Sequence, residues 1–177
     1  KVYGKVYGGA RVSNNALISE NAEVYDDARI YDNAKIYGKV YGNAHVCDRA
    51  RVYANAHVYD NAHLSHNAWV YNSAKVYGNA KLSGSARIHS NAVVYDDAVV
   101  SGAAKIYGKV YNNASVAGSC EVYGSVYGNA KLSYCAKVWG RAYGNAKINK
   151  KSKEKLVPQN CEVYESDHVI KIVDKTE

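Results

Sequence analysis

The chain's 177 residues carry 23 Lys or Arg against 16 Asp or Glu, a formal net charge of +7, and neither Met nor Phe among the 47% that are hydrophobic. One domain is expected at this length, and no apolar run approaches the ~20 residues of a membrane span or forms a signal-peptide core. The four cysteines, Cys47, Cys120, Cys135 and Cys161, have irregular spacing and no C-x-x-C pair, so they read as free small hydrophobes rather than a zinc ribbon or disulfide framework.

The first residues, KVYGKVYGGARV, already belong to a repeat. From Val2 to Ile148 an aliphatic residue recurs at 27 positions, usually six apart with alanine two residues before it, and only Ala142 is not Val, Ile or Leu. Self-similarity at a fixed period takes precedence over local propensity. Lys1 lies inside a unit with no cap before it, so a processed or partial chain is expected, its open end presenting unpaired strand edges.

Five steps are four residues long, each marked by a glycine: Gly4, Gly38, Gly108, Gly124 and Gly140. All five fall at the same one of three phases, so the chain winds in threes and the 27 positions make nine coils. Glycine is expected at these short corners for the backbone angles of a tightened bend. In full-length corners the third residue after the aliphatic is usually Asn or Asp, as at Asn43, Asn55, Asn61 and Asn79, and is expected to take the left-handed conformation. Each strand is short, with the aliphatic residue inward and its two neighbours outward. Alanine fills the tight slot past each corner, and Cys120 stands for it once.

The pattern is clearest at residues 42–80, GNAHVCDRARVYANAHVYDNAHLSHNAWVYNSAKVYGNA. Its unit V-Y-G-N-A-K, at residues 76–81, resembles the hexapeptide repeat of left-handed parallel β-helix proteins, a family that includes many acyltransferases. The resemblance covers roughly residues 2–148. It implies an all-β, single-stranded, left-handed parallel β-helix, a three-sided prism about 43 Å long at the usual strand spacing. It also implies packing along a face, as in the homotrimers common in that family.

From Asn149 the repeat stops. Residues 150–155 (KKSKEK) read as a charged linker, and residues 161–164 and 169–173 as a β-hairpin capping the last coil. The chain thus divides into a β-helix, 1–149, and a linker with capping segment, 150–177.

The outward residues differ in chemistry from face to face. The second face carries a tyrosine in every coil: Tyr7, Tyr25, Tyr41, Tyr59, Tyr77, Tyr95, Tyr111, Tyr127 and Tyr143, beside a column that includes Lys39, Lys75 and Lys109. The first face mixes Tyr37, Tyr53, Tyr71, Tyr107 and Tyr123 with Trp69 and Trp139. The third has small residues such as Ser65, Ser83 and Ser101 beside Arg11, Arg29, His45, His63, Lys81, Lys131 and Lys147.

Two accounts of the tyrosine ladder stand side by side: stacking that stabilises the solenoid, and a binding platform in which those nine rings with Lys39, Lys75 and Lys109 hold a partner. In acyltransferases of the resembling family a histidine works beside an extruded loop, but residues 2–148 contain no insertion, and His45, His57, His63, His66 and His89 all fall at regular positions. His45 and His63, stacked beside Cys47, are the one place that suggests a transition metal, although no metal centre and no cofactor is expected. The expectation is a non-catalytic structural or binding rod, contacting protein, glycan or polyanion such as nucleic acid, or associating with itself, and not engaging a membrane. The alternative is an acyltransferase using an acyl-CoA at a subunit interface. Similar tyrosine-rich arrays in bacterial and phage proteins imply a cytoplasmic or particle-associated location.

Overall fold

A computed structural model describes residues 1–172. Among these residues the chain is all strand and turn, a parallel β-solenoid of nine repeat coils. Each rung is a two-residue strand such as Lys75–Val76, paired in parallel with His57–Val58 one coil before and Val93–Val94 one coil after. Up to Val138 the chain turns after each such pair, so one inward side chain serves each rung. Three walls result: the first holds nine strands from Leu17–Ile18 to Leu156–Val157, and the second and third are joined through the eight-residue strand Arg141–Ile148.

The interior is as the repeat dictates. From Ile18 to Ile148 every aliphatic rung residue is buried, and the alanines two residues before them are equally closed, with Cys120 in their column. Inward Val, Ile and Leu stack on their counterparts one coil away, so each coil needs its neighbours to bury its apolar surface. All five short corners lie between the first and second walls, as the phase of the short steps requires.

Two expectations about the corners are corrected. The left-handed residue is the second after the aliphatic, not the third: Asp26, Asp48, Asp60, Asn72 and Asp96 have φ near 55°, as does Gly42 at 66°, whereas Asn43, Asn55, Asn61 and Asn79 do not adopt it. Asp is favoured there because its carboxylate reaches the backbone N–H of the same position one coil on. Gly42 N donates to Asp26 Oδ2 at 3.1 Å, His66 N to Asp48 Oδ2 at 2.7 Å and Gly78 N to Asp60 Oδ2 at 3.2 Å. The asparagines at the third position instead bond to one another along the edge, Asn61 Nδ2 to Asn79 Oδ1 at 3.1 Å and Asn79 Nδ2 to Asp97 Oδ1 at 3.0 Å.

The short-corner glycines also have a different cause. None of the five has a positive φ; a Cβ on Gly38 would lie 2.5 Å from the Ala56 carbonyl oxygen, and one on Gly108, Gly124 or Gly140 would overlap the backbone of the next coil. Removing two residues draws that corner against its neighbour, and the missing side chain is what lets the coils stack.

The tail follows the winding further than a loose linker would. Val157 pairs beyond Val138 on the first wall and Val163 beyond Ala142 on the second, and both are fully buried. Residues 150–155 do not hang free: Ser152 is buried, its Oγ accepting from Asn149 N at 3.0 Å and reaching the Lys147 carbonyl at 3.4 Å, which closes the third wall. The expected hairpin is present as Cys161–Ser166 against Val169–Lys171, antiparallel. Val173, placed in its second strand by the sequence, lies outside the described residues.

Candidate interaction faces

The second wall carries the nine-ring ladder as expected. Successive centroids from Tyr7 to Tyr143 are 4.8 to 5.1 Å apart, with planes within 8° of parallel. Tyr164 of the tail follows at 5.2 Å, tilted by 51°. Strand pairing sets this spacing, and offset stacking suits rings held so. The consequence for binding is specific: each interior ring has both faces covered by its neighbours, leaving its edge and hydroxyl to solvent. Burial, followed by the neighbouring phenols Tyr77 and Tyr41, pushes the Tyr59 hydroxyl up to about 12. Tyr59 therefore offers a neutral hydroxyl that both donates and accepts hydrogen bonds.

The three lysines expected beside the ladder are not equivalent. Lys39 Nζ lies 2.8 Å from Glu23 Oε2, and Lys5 Nζ 3.7 Å from Glu23 Oε1. The hydrogen bond from Lys39 is the main reason that the Glu23 carboxyl titrates below its usual range, and Lys39 is correspondingly raised. Lys75 and Lys109 form no ion pair among the described residues. Thus Lys39 is held within the wall, whereas Lys75 and Lys109 stand available.

A second ladder on the first wall was only half legible. Tyr37, Tyr53, Tyr71, His89, Tyr107, Tyr123 and Trp139 form one stack with centroids 3.8 to 5.6 Å apart. His89 replaces a tyrosine in it, and its buried Nε2 has no hydrogen-bond partner. Burial and the flanking Arg87 and Lys105 lower its pKa. Trp69 stands in the other column, with Arg51 at 4.7 Å and Arg87 at 5.3 Å from its centroid, a cation–π sandwich across three coils. Column bookkeeping, which separates Trp69 from Trp139, would have found both features.

On the third wall His45 and His63 are neighbours, 6.0 Å between centroids and tilted by 37°. Cys47 does not join them. The potential metal donors that converge among the described residues are Asp32, Cys47 and Asp48, within 4.8 Å of one another. Both carboxylates already serve the corner ladder, accepting from Asp48 N at 3.4 Å and His66 N at 2.7 Å, and burial pushes the Cys47 thiol up. Structural roles therefore account for all three.

The cysteines are free thiols, Cys47 and Cys120 buried, Cys161 partly so and Cys135 exposed at a corner. Burial pushes Cys120 up to about 11, as suits a thiol standing in for alanine. No helix among the described residues is long and apolar enough to cross a membrane. Compared with protein-family models, curated proteins and solved structures, the chain has no match.

Proposed function

We propose that this chain is a non-catalytic rod of the left-handed hexapeptide-repeat type, working as a structural or binding module through the tyrosine-bearing second wall. The observation that carries the reading is the unbroken row of nine stacked rings along the whole repeat, flanked by cations that the wall does not neutralise. Because the rings offer edges and hydroxyls, the fitting partner is one met by hydrogen bonds and side-on contact, another protein or a second copy of this chain, rather than bases stacked on ring faces. A trimer packed along a face is one such arrangement. Against the acyltransferase alternative stands the regular succession of rungs from Lys5 to Ile148, with no extruded loop to line an acyl-CoA pocket.

Native mass spectrometry and sedimentation of the chain test the proposal. Wild type should self-associate or retain a bound protein, and Tyr59→Ser with Tyr77→Ser should abolish that while the protein still melts cooperatively. A monomer free of partners in both forms would return the ladder to a purely structural role, and a saturable calorimetric signal with coenzyme A would overturn the non-catalytic reading.

A further inference from the structure

The three walls treat their charges differently. On the second wall Glu23 bridges Lys5 and Lys39; on the first, Glu121 bridges Lys105 at 3.4 Å and Lys137 at 3.2 Å. The third wall has no Asp or Glu in either outward column of its nine coils. Arg11, Arg29, Lys81, Lys131 and Lys147 are exposed there and form no ion pair among the described residues. Register sets like beside like, Arg11 opposite Arg29 and Lys131 opposite Lys147. Directly opposed like charges destabilise a sheet; the first wall also opposes Lys35 to Arg51 and Arg87 to Lys105 but sets Trp69 between the two arginines and Glu121 beyond Lys105, whereas no acidic side chain stands in the third wall's outward columns.

Towards the C-terminal end the corner aspartates give way to neutral residues, and Asp167 of the tail, accepting from Lys153 N at 3.1 Å, is the carboxylate that lies beside Lys147 and Lys151. Asp26, Asp32, Asp48, Asp60 and Asp96 stand at corners of earlier coils, whereas the corners flanking Lys131 and Lys147 hold Gly128, Asn129, Tyr134, Cys135, Gly144 and Asn145. The buried Ser152 draws Lys150, Lys151 and Lys153, all exposed, to the foot of the same wall. The outward slot on the other side of each rung is small, Ser83, Ser101 and Ser133 among them, so hydroxyls rather than rings stand along this wall. The one tyrosine of that column, Tyr31, meets His45 edge-on at 6.5 Å.

We infer that the third wall binds a linear anionic polysaccharide laid along the rod axis, held chiefly by Lys131, Lys147 and Lys151. Lys131 and Lys147, opposed at one strand spacing, match successive carboxylates of a chain with one per sugar, and serine hydroxyls match its hydroxyls. Single-stranded nucleic acid, which relies on aromatic stacking platforms, finds in this wall's outward columns one tyrosine, Tyr31, set edge-on to His45, and no tyrosine ladder. The inference rests on the rod being a binding module but not on the tyrosine ladder.

The test titrates polygalacturonate, and separately an oligo-dT strand, into the full chain at two salt concentrations. Three forms are compared: wild type, Lys131→Ser with Lys147→Ser and Lys151→Ser, and a charge-matched first-wall control, Lys35→Ser with Lys105→Ser and Lys137→Ser. The third-wall triple should weaken polygalacturonate about 10-fold or more and reduce the salt slope by roughly three, while the control changes affinity less than about 2-fold. Equal losses in the two triples would reduce the effect to bulk charge, and absence of saturable binding by wild type at low salt would overturn the inference. Tighter binding of oligo-dT, lost in the same triple, would overturn it in favour of nucleic acid. Melting curves confirm folding, and Lys→Gln at the same positions replaces any serine triple that melts early. Polygalacturonate binding that survives Tyr59→Ser with Tyr77→Ser separates this inference from the fate of the ladder.

Discussion

The second and third walls are built on the same rungs and share one interior, yet they answer repetition in opposite ways. Repeating tyrosine every coil gives each ring two partners, and repeating lysine there is relieved by Glu23. Repeating arginine or lysine on the third wall produces neighbours that repel. A self-complementary column explains itself by what it contributes to stability, whereas a column that opposes its own stacking points to something outside the chain. The difference shows how to sort a solenoid surface: ask of each column whether copies of that residue like one another at strand spacing.

The first prediction tests whether the two walls share an interior. Val76→Asp on the second and Leu82→Asp on the third each place an unpaired carboxylate in a fully closed column, and each should cost several kcal/mol and melt the central coils. Thermal denaturation followed by circular dichroism decides, and an unchanged melting curve for either would refute the inward assignment. Next in size, Tyr59→Ser with Tyr77→Ser removes three stacked pairs and should cost about 2–4 kcal/mol, whereas Ser83→Ala on the third wall should stay within about 0.5 kcal/mol of wild type. Chemical denaturation midpoints measure both, and similar losses would erase the contrast between the two walls.

Smaller and opposite in sign, His89→Tyr should stabilise by about 1 kcal/mol, because it restores the missing ring and removes a buried nitrogen without a partner. The smallest effect is electrostatic. Glu23 titrates below its ordinary 4.5 in the fold, so its contribution is present above that value and is lost as pH falls through the folded pKa. Glu23→Gln should lower the melting temperature slightly at neutral pH, converge with wild type once pH falls below the folded pKa, and so flatten that part of the acid profile. His89, lowered from 6.5, adds a loss of stability as pH falls below 6.5, and His89→Tyr should remove that part of the slope.

The winding, the coil count, the single edge for the short corners and the nine-ring column were all readable because each follows from a count of positions. What escaped the reading concerns space and partners between coils. Asn61 and Asp60 both favour left-handed backbone by type, so sequence alone does not reveal that Asp60 adopts it while Asn61 bonds along the edge. Gly108 looks like any turn glycine until the carbonyl above it is placed. Lys39 and Lys75 are alike in sequence, but Glu23 stands one rung from the first and not from the second. Lys151 belongs to the third wall only because Ser152 is buried beneath Lys147.

Where no corner is shortened, one coil takes 18 residues, as from Val58 to Val76. Excising residues 59–76 would leave every remaining column aligned and simply yield a shorter rod, whereas excising six residues would turn all that follows by a third of a revolution and carry its phenols onto a different side. Length is therefore an inheritable dial on this scaffold, adjustable by whole turns without redrawing its surface.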